Sequence, residues 1–100
     1  MNEMKALMLI FDSELSEEVF TLMKLAEIVH YTYFKGLHGS GNQGKKEGSI
    51  TWPGNNELLM MLVKETDLER FKVVVKEFKK NKGVPTGLLF FHWPLTEMII

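Results

Sequence analysis

Cysteine is absent from this chain, and no apolar run comes near the roughly 20 residues that a membrane-spanning helix requires. Disulfides, thiolate metal sites and a cysteine nucleophile are therefore excluded. The 12 basic and 13 acidic residues leave a formal net charge of -1, so the basic surplus typical of nucleic-acid binders is also lacking. The segment 1–12 has neither the basic part nor the small-residue cleavage site of an export signal. A cytoplasmic protein that binds no nucleic acid is the expectation.

The overall amino-acid composition is typical of a folded domain. Of the 100 residues, 45% are apolar and 25% are charged, which suits one hydrophobic core. We therefore predict a single domain over residues 1–100. A domain of this size buries only about 60–70% of its unfolded surface, so association through a further apolar face would add stability.

Hydrophobic spacing predicts six elements. The continuous apolar run 6–11 predicts a central strand, and three- and four-residue spacing after Ser13 predicts an amphipathic helix. Thr66 and Glu69 form a capping-box pattern that predicts the start of a second helix, which Gly83 ends. The predicted elements are strand 6–11, helix 13–26, strand 31–34, strand 57–63, a helix from Thr66 to the residue before Gly83, and strand 86–93.

This order predicts an α+β fold, the ferredoxin-like βαββαβ sandwich with a four-stranded antiparallel sheet. Right-handed crossovers would place both helices on one face of the sheet. The first and last strands are apolar almost throughout, so the opposite face is predicted to be hydrophobic as well. Further copies of the chain are expected to cover it.

The segment 36–50 is rich in glycine and polar residues and predicts a long, flexible loop. Clustered glycines let backbone amides approach an anion, and Lys45 and Lys46 add positive charge, so a phosphate- or nucleotide-responsive loop is one interpretation. The other interpretation is a hairpin connection without a ligand. No helix follows the segment, which therefore matches neither the Walker-type nor the Rossmann pattern.

No set of residues predicts catalysis, so no enzymatic activity is expected. The serines lack an identifiable histidine or acid partner, and the carboxylates lie mainly where they favour helix N-termini. The histidines His30, His38 and His92 have no ligand-like spacing, and His38 is the candidate metal ligand. Trp52 and Trp93 are expected at the core or at a subunit interface.

The run Phe34-Lys35-Gly36, which leads into a segment with glycine, glutamine and lysine, resembles the base of the T-loop of nitrogen-regulatory PII proteins. With its βαββαβ order, the chain is similar to the PII-like signalling superfamily. That resemblance implies a homotrimer that holds small ligands, often adenine nucleotides, in clefts between subunits. It also implies that the loop contacts a partner protein.

The resemblance assigns roles to individual residues. Gln43 resembles the T-loop glutamine that assists a metal-bound nucleotide. The segment 36–50 has no tyrosine, so uridylylation is not expected, and the connection 81–87 lacks the Gly-Asp-Gly-Lys phosphate signature of the usual ATP site. The ligand-binding residues that the resemblance implies are Gly36, Leu37, His38, Gly39, Gly41, Gln43, Lys82 and Gly83.

An alternative is a metal-binding trimer of the divalent-cation-tolerance type. That related family shares the trimeric ferredoxin-like fold and has a Trp-x-Gly stretch before its third strand, as Trp52-Pro53-Gly54 has here. The family's cysteine is absent from this chain. A third hypothesis, after these two, is a small enzyme on the same fold, since this fold hosts many unrelated activities.

Overall fold

The computed structural model describes residues 4–38, 55–83 and 86–100, which form a sandwich of one sheet and two helices. A 3-10 turn, Ser13–Leu15, joins the first strand to the first helix. The predicted α+β class and βαββαβ order are confirmed. The strands are β1 (Met4–Asp12), β2 (Thr32–His38), β3 (Asn55–Lys64) and β4 (Leu88–Pro94), and the helices are α1 (Ser16–Leu25) and α2 (Glu65–Lys82).

The sheet is antiparallel with the strand order β2-β3-β1-β4, so β1 is a central strand as predicted. Its two neighbours meet it in continuous registers: Leu9 lies opposite Leu59 of β3 and opposite Phe90 of β4. Because β1 has strands on both sides and helices over one face, most of its length is shielded from water. That position accounts for its unbroken apolar run.

The core lies between the sheet and the two helices. Strand side chains alternate between faces, and every second residue of β1 and β3 points toward the helices. The ring of Phe71 is fully buried and packs edge-on against Phe90, with centroids 5.4 Å apart. Among the residues that the structure describes, no helix is long and apolar enough to cross a membrane. The buried set includes Leu7, Leu9, Phe11, Leu59, Met61 and Val63 of the sheet and Val19, Leu22, Met23, Leu68, Phe71 and Val75 of the helices.

Polar side chains hold the turn before α1 and the C-terminal end of α1. Asp12 accepts a hydrogen bond on Oδ1 from the backbone amide of Glu14 at 3.0 Å, which fixes the 3-10 turn before the helix. At the other end, Arg70 of α2 donates from Nε to the carbonyl oxygen of Ala26 at 2.8 Å. The same guanidinium donates to Asp67 Oδ1 at 2.7 Å. The end of α1 is therefore tied to α2.

The predicted capping box at Thr66 is wrong. The helix α2 already begins at Glu65, and its N-cap residue, Lys64, makes no side-chain cap hydrogen bond. Because β3 runs directly into α2, Thr66 lies inside the first turn, where it cannot serve as the cap. The acidic Glu65 and Asp67 still favour the positive end of the helix dipole. The predicted helix end is confirmed, with Gly83 as the C-cap.

The strand β2 is longer than the predicted 31–34. It runs to His38, so Gly36, Leu37 and His38 are strand residues and not part of a loop. The pairing with β3 shifts between Phe34 and Leu37, and Gly36 has a φ of 69°, a conformation that a side chain disfavours. A β-bulge at this glycine therefore lets the strand continue where the composition predicted irregular chain.

The sheet face opposite the helices is apolar and uncovered in the single chain, as predicted. The registers place Met8 between Met60 and Phe91 at its centre. Leu62 keeps 46% of its surface exposed and Trp93 keeps 39%. We call this surface the open sheet face; it consists of Ala6, Met8, Ile10, Phe34, Leu58, Met60, Leu62, Leu89, Phe91 and Trp93.

Candidate functional site

Strand ends and helix ends meet at one end of the sandwich. The registers place Asp12 of β1 opposite Asn56 of β3, and His38 of β2 opposite Asn55. The start of β4 lies there as well, because the backbone amide of Asp12 donates to the carbonyl oxygen of Gly87 at 3.0 Å. We call this region the loop end, since the connection between β2 and β3 leaves from it.

Predicted ligand residues from two separate parts of the sequence lie within the described ranges. Gly36, Leu37 and His38 lie in the last part of β2, while Lys82 and Gly83 lie at the end of α2. Their part in ligand binding stays a prediction. Outside the described residues lie Gly39, Gly41, Gln43 and the rest of the predicted loop, together with Trp52.

Lys82 already has an anionic partner. Its Nζ lies 3.3 Å from Glu18 Oε2 of α1, and 6.0 Å from the centre of the Phe78 ring. Both charged side chains are well exposed, so the ion pair contributes at most about 1 kcal/mol. An anionic ligand at Lys82 would nevertheless compete with a carboxylate that is in place.

The histidines do not converge on a metal site. His38 lies on β2 and His92 on β4, which are the two opposite edges of the sheet, and both are exposed. Within residues 4–38, 55–83 and 86–100, no group of three or more potential ligands is close enough to hold a metal ion. A metal at His38 would need further ligands from the rest of the chain or from another subunit.

A hydrogen-bonded chain of side chains links three elements close to the loop end. The Tyr33 hydroxyl donates to Glu57 Oε1 at 2.6 Å, and Ser16 Oγ lies 3.3 Å from the same phenolic oxygen. Glu57 is buried and faces the helices, opposite Phe11 of β1. The sequence analysis missed this group. The sequence signal for it is the position of Glu57, two residues before Leu59, which puts this carboxylate on the side of the strand that faces the core.

We expect Tyr33→Phe to lower the free energy of unfolding by about 1–3 kcal/mol, because it leaves the buried Glu57 carboxylate without its phenolic donor. Urea unfolding at neutral pH measures the loss. Tyr31→Phe is the matched control: this tyrosine is more exposed and also packs edge-on against Phe20. Equal effects in the two variants would contradict a specific role for the hydrogen bond.

The same tyrosine predicts a pH effect on stability. Burial, followed by the hydrogen bond to Glu57, raises the pKa of Tyr33 above its ordinary value. Since the folded pKa exceeds the unfolded one, the stabilisation is complete below about pH 10 and is lost as the pH rises through the folded pKa. Unfolding curves measured at increasing alkaline pH should show a loss of stability in the wild type. Part of that loss should be absent in Tyr33→Phe.

Solved structures share this fold, whereas the sequence itself matches no protein-family profile and no curated protein. The apo form of CPII, a nitrogen regulatory PII-like protein from Thiomonas intermedia K12, is similar with a TM-score of 0.68 at 15% identity, over 92% of this chain and 88% of CPII. CPII bound to ADP, AMP and acetate gives 0.67 at 17% identity, over 92% and 85% of the two chains. A PII-like signalling protein from Thermus thermophilus gives 0.61 at 19% identity, over 92% and 86%. The predicted resemblance is therefore confirmed at the level of the fold.

Proposed function

From the PII-like fold of this chain, we propose that it is a cytoplasmic regulatory protein and not an enzyme. In this proposal the chain forms a homotrimer, binds an adenine nucleotide or a small anion in the clefts between subunits, and signals to a partner protein through the segment 36–50.

The open sheet face is the observation that carries the proposal. An exposed apolar surface that spans all four strands is unusual for a soluble monomer and is typical of a protein interface. Its central residues Met8, Met60 and Phe91 come from three adjacent strands, so covering them requires a broad surface. Other copies of the same chain would provide one, and their edges would then create clefts beside the loop end.

The composition of the loop end supports a polar ligand. Ends of β1, β2 and β3 and the start of β4 lie there, with His38 at the end of β2, and in this proposal the exposed Lys82 at the end of α2 faces the same ligand. CPII has been solved with ADP, AMP and acetate bound. Ligands of that chemistry, an adenine nucleotide with or without a small carboxylate, are therefore the first to test here.

A thermal-shift panel on protein whose mass has been measured by light scattering tests the proposal. We expect ADP, AMP or bicarbonate to raise the melting temperature, because a ligand at 100 times its Kd adds about 2.7 kcal/mol of stability. For a domain of this size each kcal/mol corresponds to roughly 4–8 °C. Sodium chloride at matched ionic strength is the control. The ligand assignment would be abandoned if no member of the panel stabilised a confirmed oligomer.

A further inference from the structure

A cavity of about 340 Å³ lies between the middle of α2 and β4, where β4 forms one edge of the sheet. Small-molecule sites typically enclose roughly 300–1,000 Å³, so a cavity of this size suits a ligand built on a single ring. The register of β4 places His92 opposite Leu7 of β1, five residues from Asp12, so the cavity is about 16 Å from the loop end. The lining residues are Lys72, Val75 and Lys76 of α2 and Phe90, Phe91 and His92 of β4.

The inner part of the cavity is apolar and aromatic. Val75 is buried, and the ring of Phe90 is held in place because it packs edge-on against the buried Phe71. The ring of His92 lies on the same side of β4, with its centroid 6.4 Å from that of Phe90 and an interplanar angle of 72°. Aromatic groups prefer edge-on or offset contacts with one another. A flat ring that enters this cavity can therefore pack against Phe90 and meet His92 at an edge.

The rim of the cavity is positively charged. Lys72 and Lys76 lie one turn apart on α2, and both border the opening. The Nζ of Lys72 is 3.3 Å from Glu69 Oε2, whereas no carboxylate of the described residues forms an ion pair with Lys76. The residues four positions before and after Lys76 are Lys72 and Lys80, and like charges at that spacing repel each other on a helix. An anion at Lys76 would relieve this repulsion.

We propose that this cavity binds a small aromatic carboxylate, whose carboxylate accepts hydrogen bonds from Lys76 and whose ring packs on Phe90. A purely apolar molecule would leave the charge of Lys76 without a counterion, and a small anion without a ring would leave the surface of Phe90 in water. A ligand that has both parts satisfies both surfaces. The site goes beyond the proposed function, because it lies apart from the loop end and takes a different ligand.

Nuclear magnetic resonance on isotope-labelled wild type at neutral pH tests the site, with benzoate, benzamide and acetate titrated separately. We expect benzoate to bind with a Kd on the order of 1 mM, as is usual for so small a molecule, and to shift backbone amide signals within 72–76 and 90–92. Benzamide lacks the charge and acetate lacks the ring, so each should bind at least about tenfold more weakly. Benzamide that binds as tightly as benzoate, or benzoate shifts confined to 36–38, would overturn the proposal.

Two variants with the same change of charge separate a specific contact from general attraction. Lys76→Gln should weaken benzoate binding about tenfold, because it removes a charge-assisted hydrogen bond, and Lys76→Arg should restore most of the affinity. Lys80→Gln is the matched control: Lys80 is one turn further along α2, does not line the cavity, and should change the Kd less than about twofold. Both lysines are exposed, so the variants should keep the wild-type spectrum in the free state.

Equal losses of benzoate affinity in Lys76→Gln and Lys80→Gln would refute the site. The outcome is separable from that of the proposed function, because ADP serves as an independent probe of the same samples. A protein that binds ADP but not benzoate lacks the aromatic carboxylate site and keeps the proposed function. A protein that binds benzoate at 72–76 and 90–92 but no nucleotide or bicarbonate keeps the site and loses the proposed ligand.

Discussion

Leu62→Glu is expected to convert the proposed oligomer into folded monomers of 11.6 kDa. Leu62 lies on β3 within the open sheet face, opposite Ala6 of β1, and in the single chain it is 46% exposed. A glutamate there can stay hydrated in a monomer, so the fold survives. In an interface the carboxylate would be buried without a partner, at a cost of several kcal/mol per subunit. Light scattering measures the mass, and circular dichroism measures whether the chain remains folded.

Val73→Glu is the matched control. Val73 is more exposed, at 67%, but it lies on α2, on the opposite side of the molecule from the open sheet face. The same introduced charge should therefore leave the mass unchanged. A wild-type protein that is monomeric at micromolar concentration, or a Leu62→Glu variant with the wild-type mass, would remove the basis for subunit clefts.

Phe71→Ala should cause the largest loss of stability, about 3–5 kcal/mol. Its ring is fully buried, and truncation removes the edge-on contact with Phe90 and leaves a cavity between α2 and the sheet. Small domains have only about 5–15 kcal/mol in total, so the variant should be close to unfolding at ambient temperature. The midpoint of urea unfolding measures the effect.

Val73→Ala, two positions along the same helix, is the control for Phe71→Ala. It shortens an exposed side chain and should change the free energy of unfolding by less than about 0.5 kcal/mol. If the two variants lost similar amounts, the core would not be packed around Phe71 as described.

The fold could be predicted because each element carries its own periodicity. The apolar run 6–11 and the helical spacing after Ser13 depend on local geometry, which a single sequence displays directly. The strand β2 was harder, because its last residues include Gly36, whose backbone conformation is set by pairing with β3 and not by local preference. The start of α2 was misplaced at Thr66 for a similar reason: a strand that continues without a break into a helix leaves no room for a separate cap.

The site could be predicted less well, because its contacts join residues that are far apart in the sequence. Glu57 and Tyr33 are 24 positions apart, and their hydrogen bond depends on the register of β2 against β3. The difference between Lys79 and Lys82 is also invisible in sequence, where both belong to one basic stretch. The packing of α1 on α2 places Glu18 beside Lys82, whereas Lys79 contacts neutral acceptors.

The guanidinium of Arg70 has a consequence for how the molecule folds. From its position on α2 it binds the carbonyl oxygen of Ala26, the C-cap of α1, so docking of the longer helix adds a hydrogen bond to an end that the backbone amides of Glu27 and Ile28 already close. A helix of 10 residues is marginal by itself in water. We therefore expect docking of α2 to stabilise the end of α1 and the chain segment that leads into β2.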